Sequence, residues 1–411
     1  MQPLRIHVLA EPPLADAERR ALAALLLRTR LPIEITGAKS ARLELSIDGP
    51  PGRAIVVTRA DLATIGGHLN GEAEKNLPRD AHQRPAPPSA PGTPVVDEMG
   101  WSLRDQIIAK FPEYGSKPPD WRFCLTFDLD SAGMFHGTNS WHSFRQLPKQ
   151  PAKYVEFLRS GFTTAIGTAP DPHLPFDFLL KLIKVQAIPA TFLVQTHRAH
   201  KLDSYDLAKA GALRNAIKDA LADNHAVGLH SSYATRDRDG DFFQEQWKRL
   251  RDIFGSAVQD VHRAHYLRTP DDLSSYAGAA HMVDSSLMYS PHNGFRRGTS
   301  LPFRVNDRIV EVPPLVMDTT LRYQEKLDHN QALAASLALM TEVKKHGGVF
   351  TIIWHPHNLN NLTWEGWAKV LFSIIGEAKR QGARFQTLAD AAHDLQDHGD
   401  EMERALATAP R

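Results

Sequence analysis

The sequence holds a single cysteine in 411 residues. One thiol makes no internal disulfide, so a cystine-stapled fold is excluded, and a Cys-x-x-Cys zinc site with it. Charge of one sign is also missing: 48 Lys and Arg face 47 Asp and Glu, a net of +1. No basic run forms a polycationic arm, so nothing marks a nucleic-acid surface. No stretch approaches the roughly 18 uninterrupted apolar residues of a membrane span. The opening MQPLRIHVLAEPPL lacks a basic region followed by an apolar core, which argues against a secretory signal and for a cytoplasmic protein. Apolar residues at 42% and charged residues at 23% are those of a soluble globular chain. At about 150 residues per domain, the length admits one large domain and a smaller one. The one excess is histidine, with 20 copies. Imidazole is the commonest metal ligand and a frequent general acid or base, so the positions of these residues matter.

Residues 1–77 mix short β-like runs (4–9, 43–47 and 54–57) with an Ala/Leu-faced helical stretch at 15–28. They read as a small α/β lobe. Residues 78–94 carry six prolines in 17 positions, which reads as an extended linker or surface loop that joins no core. The linker and a connecting helix run to 120. From 121 to 395, apolar runs alternate with helical stretches. The runs are FCLTFD, PATFLV, AVGLH, DVHRAHYL, MVDSSL, IVEVPPL, VFTIIWH and ARFQTL. Near-continuous apolar strands separated by helices predict a mostly parallel sheet covered on both faces. Seven or eight such units suit a distorted β/α barrel of about seven strands; an open doubly wound sheet is the alternative. No glycine-rich phosphate loop follows the first strand. Residues 396–411 read as a polar tail.

Several strands end in polar groups. FCLTFDLD ends in Asp128 and Asp130, AVGLH in His230, and VFTIIWHPH in His355 and His357, while HRAHYLR carries His262, His265 and Arg268. In a β/α barrel these ends converge on one mouth. Singly, such an Asp is often a helix cap and such a His a hydrogen-bonded structural residue. Jointly they suit metal-assisted hydrolysis. Two Asp at i and i+2 share a strand face. One Asp with two neutral imidazoles suits a divalent ion such as Zn²⁺, which acidifies water and polarises a carbonyl. The other Asp takes a proton and a further His gives one.

TFDLD at 126–130 resembles the first motif of the polysaccharide deacetylases of carbohydrate esterase family 4. VGLHSSY, HRAHYLRTP, the passage from DSSL to GFRRGTSLPF, and IIWHPHN agree in order. The likeness runs from about 122 to 388 and is greatest to a divergent bacterial branch with HYLR and GFR-G-T stretches. It implies a distorted β/α barrel, a divalent metal, and hydrolysis of the acetamide of an N-acetylated sugar or surface-polysaccharide precursor. It implies Asp128 as general base, Asp130 and His230 as metal ligands, and His355 as general acid, with His357 the alternative. One departure matters. The family's second motif is His-[Ser/Thr]-x-x-His, and Ala234 stands at its second His. Either another His completes the set, for which His265 suits better than His262, or two residues and water hold the ion, or the metal is lost and the domain only binds carbohydrate. A ring-amide hydrolase on the same barrel is a further alternative.

Looser assignments follow. Arg268 resembles the arginine that orients the base Asp, with Arg263 in competition. Arg296, with Arg297, could bind an anionic group. Tyr233 could offer its backbone N–H to an oxyanion or its ring to a sugar. Trp354 and Cys124 are expected in the core.

Overall fold

The computed structural model describes residues 2–50, 54–115, 119–136, 139–270, 276 and 281–408. The N-terminal lobe is an all-parallel sheet of β1 (Leu4–Ala10), β2 (Ile33–Ile35), β3 (Leu43–Ile47) and β4 (Ile55–Val57), in the order β2-β1-β3-β4. Parallel neighbours need crossovers, and the helix Asp16–Arg28 supplies the first. The helix Arg59–Leu69 starts at Thr58, whose side chain accepts from the Asp61 N–H while Asp61 accepts from the Thr58 N–H. Leu4, Ile6, Leu22, Leu26 and Leu45 form the buried centre of the lobe.

The main domain is built on ten strands: β5 (Arg122–Leu129), β6 (Ala190–Val194), β7 (Ala226–Ser231), β8 (Val258–Ala264), β9 (Met282–Asp284), β10 (Phe303–Asn306), β11 (Ile309–Glu311), β12 (Pro314–Met317), β13 (Val349–Trp354) and β14 (Arg384–Phe385). Hydrogen bonds link them in the order β10-β11-β9-β8-β7-β6-β5-β13-β12, with β14 beside the start of β5. Every pair is parallel except β10 with β11. The α/β expectation therefore holds, and β5 is buried along all its length, as a strand covered on both faces must be. IVEVPPL divides at its prolines into β11 and β12, and ARFQTL shrinks to the two residues of β14. Cys124 and Trp354 lie fully buried, as expected. No helix among the described residues is long and apolar enough to cross a membrane.

Two expectations need correction. The polar tail is the second half of a helix, Leu388–Thr408, whose start packs under the main sheet through Leu388, Ala391 and Leu395. Its end packs on the lobe through Met402 and Leu406, because apolar residues recur on one side of an otherwise polar helix. Nor is the proline-rich segment merely a surface loop. Asp80 accepts from the N–H groups of His82 and Arg84 (2.8 and 3.0 Å) and from the Arg84 side chain (2.8 Å), closing a tight turn. Arg84 is buried and also donates to the Tyr266 carbonyl in the main domain. Buried ion pairs tie the lobe to its surroundings: Arg28 with Asp97 of the connecting helix Val95–Lys110 at 3.2 Å, and Glu74 with Arg296 and Arg297 of the main domain at 2.8 and 3.1 Å.

Candidate metal centre

Asp128 and Asp130 lie two apart at the end of β5, His230 stands near the end of β7, His265 follows β8 and His355 follows β13. These strands are parallel neighbours in one sheet, so their C-terminal ends share one rim. Ligand atoms of Asp130, His230 and His265 lie within 4.8 Å of one another. Asp130 Oδ1 is 3.1 Å from His230 Nε2, and Asp130 Oδ2 is 3.5 Å from His265 Nε2 and 3.3 Å from His355 Nε2.

The ring orientations are fixed from behind. His230 Nδ1 lies 2.9 Å from the Arg263 carbonyl, which only accepts, so Nδ1 carries the proton and Nε2 presents a lone pair. His265 Nδ1 lies 3.0 Å from Asp203 Oδ1. Asp203 also accepts from the Ser232 hydroxyl (2.6 Å) and the Tyr233 N–H (2.9 Å), so it is itself held. Imidazoles backed by a carbonyl or carboxylate are the usual supporting layer of a metal site. Asp130 Oδ1 is buried and accepts no hydrogen bond, although His230 Nε2 stands so close: two lone-pair donors face each other. One carboxylate oxygen and two imidazole nitrogens fit a divalent ion. Burial alone would raise the Asp130 pKa, but the imidazoles of His265 and His355 hold it well below the usual carboxylate range. Burial would lower His265, but Asp130 and Asp203 push it up to about 9.

Beside this cluster stand two paired groups. Asp128 Oδ1 accepts from Arg263 at 2.7 Å; the same guanidinium donates to Thr126 Oγ1 (2.8 Å), the Ser285 carbonyl (2.6 Å) and Ser285 Oγ (2.9 Å). Asp128 Oδ2 is 3.7 Å from His230 Nε2. His355 is tied to Asp318, its Nδ1 2.7 Å from Oδ1 and its backbone N–H donating to Oδ2 at 2.9 Å. Burial would lower the His355 pKa, but Asp318 and Asp130 hold it well above the ordinary histidine value. His357 differs: burial and the neighbouring His355 push it down to about 3. A cavity of about 490 Å³ opens beside these groups; Asp128, Asp130, His230, His265, Tyr266 and His357 are in its lining, and His355 stands behind it. That is room for a small ligand.

Arg268 does not reach Asp128: it forms a two-bond pair with Asp237 (2.7 and 3.0 Å) and donates to the Tyr233 carbonyl. Arg263 orients Asp128 instead. Arg296 is buried against Glu74, which consumes its charge, and it does not line the cavity. The Tyr233 N–H is spent on Asp203, its hydroxyl meets His82 Nδ1 at 2.9 Å, and its ring stacks on His200, so neither proposed role is open to it. His262 bridges Asp284 (2.7 Å) and Ser231 (2.9 Å), away from the ligand cluster. Asp203, Asp318 and Tyr266 were not foreseen. A carboxylate directly after β12 is the sole sequence signal for Asp318. Tyr266 takes a left-handed φ of 59° and is followed by Leu267 at 53°. Consecutive left-handed non-glycine residues are uncommon and turn the chain sharply after His265.

No family model matches the chain, and no curated protein does. A solved structure from Mycobacterium smegmatis, described as a "putative polysaccharide deacetylase", aligns with 69% of this chain and 92% of its own, at 16% identity and a TM-score of 0.47.

Proposed function

We propose that the chain is a divalent-metal-dependent deacetylase that hydrolyses the acetamide of an N-acetylated sugar. The sheet is read as the wall of a distorted β/α barrel, since strand ends from β5, β7, β8 and β13 all reach Asp130. The observation that carries the reading is the meeting of Asp130, His230 and His265 beside an arginine-held Asp128 and an aspartate-held His355. Asp130, His230 and His265 are the residues that hold the ion, and His265 stands in for the histidine replaced by Ala234. A divalent ion bound there, zinc by preference of the donor set, supplies Lewis acidity toward water and the acetyl oxygen.

The chain's own groups do the rest. Asp128, positioned by Arg263, takes a proton from the attacking water. The new C–O bond forms at the acetyl carbon. His355, kept protonated by Asp318, gives its proton to the sugar nitrogen as the C–N bond breaks, leaving acetate and a free amine. The polar and aromatic cavity lining, including His82, Asn139, Tyr266 and Trp364, suits a sugar. The test is acetate release from N-acetylated oligosaccharides by the zinc-loaded protein. Activity abolished in Asp128→Asn and in Asp130→Ala supports the reading. Release unchanged in both variants overturns it.

A further inference from the structure

The helix Asn139–Gln146 flanks the cavity, and the helix Pro151–Ala165 packs against it through Tyr154 and Phe157 on Phe144. Asn139, His142, Ser143 and Gln146 of the first line the cavity itself. The second helix has two apolar sides. Phe157 packs inward with Met134, Leu147 and Leu362. Val155, Leu158 and Phe162, three and four residues apart, point the other way, and Ile166 continues the stripe. These four and Trp141 of the first helix are between 55% and 68% exposed. Trp141 stacks on Phe144, which is also exposed. A patch of large apolar side chains this concentrated marks an interaction surface.

Its charge says what kind. The chain as a whole balances 48 cations against 47 anions, but residues 139–167 carry Arg145, Lys149, Lys153 and Arg159 against Glu156 alone. Lys153 is shared between Glu156 at 3.5 Å and Glu365 at 3.4 Å. Arg145, Lys149 and Arg159 are exposed and make no ion pair among the described residues. Leu and Phe on one side of the second helix, with Trp141 on the first and Arg and Lys among them, make the pattern of an element that lies in a lipid interface. A second copy fits less well, since a two-fold contact through the stripe sets these cations against their own equivalents.

We propose that this face docks on an anionic lipid bilayer and holds the cavity mouth at the membrane surface. Resting on the deacetylase reading, the substrate class is then an N-acetylated sugar carried on a lipid anchor; the docking itself stands without that reading. The experiment is co-sedimentation of the full chain with phosphatidylcholine vesicles, with and without phosphatidylglycerol. The expected result is binding that needs phosphatidylglycerol and weakens with salt. Leu158→Glu and Phe162→Glu should each lower partition about tenfold or more. Arg145→Glu with Lys149→Glu, which leaves the apolar stripe intact, should remove the preference for phosphatidylglycerol. Failure of the wild-type chain to bind either vesicle overturns the proposal. So does binding that both sets of variants leave unchanged. Light scattering gives the remaining outcome: a wild-type dimer that Phe162→Glu dissociates assigns the face to a second copy and overturns lipid docking.

Discussion

Replacing Arg263 by methionine should be among the most damaging single changes in the main domain. The guanidinium is fully buried and Asp128 is 3% exposed, so both charges are largely withdrawn from water. The substitution removes donors to Asp128, Thr126 and Ser285 at 2.6–2.9 Å and leaves the Asp128 carboxylate buried beside no cation. Breaking a buried pair from one side costs about 3–5 kcal/mol. That is a large share of the roughly 5–15 kcal/mol that holds a domain folded. Urea unfolding followed by tryptophan fluorescence measures it. Asp128→Asn in the same background removes the stranded charge, so the double variant should be more stable than the sum of the two singles by about 2 kcal/mol. Arg268→Met is the control. Its partner Asp237 is 63% exposed, and such pairs contribute at most about 1 kcal/mol. Equal losses for Arg263→Met and Arg268→Met, or additivity of Arg263→Met with Asp128→Asn, would refute the assignment of Arg263 as the residue that holds Asp128.

Three further outcomes follow from named contacts. Burial would raise Glu74, but Arg296 and Arg297 hold it below the ordinary carboxylate value of 4.5. Its folded pKa lies below its unfolded one, so the stabilisation is full above about pH 4.5 and fades as pH falls through the folded pKa; Glu74→Gln should lower stability at neutral pH and flatten this acid limb, and a parallel shift at all pH values would contradict it. His355→Ala should lower kcat by about 10²–10⁴-fold, the usual span for a general acid, while His357→Ala retains most of it; the reverse ranking in acetate-release assays would exchange their roles. Burial pushes the Cys124 thiol well above its ordinary pKa, so an aromatic disulfide reagent should react with it only after unfolding.

Much of this was legible in one dimension because the main strands are buried on both faces and read as unbroken apolar runs. Asp128, Asp130, His230 and His355 stood out because each closes such a run. His265 was reachable by the same logic, and the structure brings it to Asp130. Strand parity carried more than was drawn from it. His262 and Arg263 are consecutive in β8 and point to opposite faces, Arg263 to Asp128 and His262 to Asp284 and Ser231. That periodicity favours Arg263 over Arg268, which lies past the sharp turn at Tyr266 and Leu267. What could not be read is pairing over long separations. Arg296 looked free in a loop, but Glu74 sits 222 positions earlier and closes on it. Asp203 and Asp318 lie in connections whose course only the folded chain defines. The prolines of 78–94 excluded a helix or central strand but not the turn that brings His82 and Arg84 to the cavity.

The claim on which the rest depends is that Asp130, His230 and His265 together hold a divalent ion. Crystals of the zinc-loaded protein, with an anomalous-difference map collected at the zinc edge, test it most directly. The account predicts one strong peak at about 2.0–2.2 Å from an Asp130 carboxylate oxygen and from Nε2 of both His230 and His265. A peak whose third protein ligand is not His265, or no peak at Asp130 in crystals grown with zinc, would contradict it.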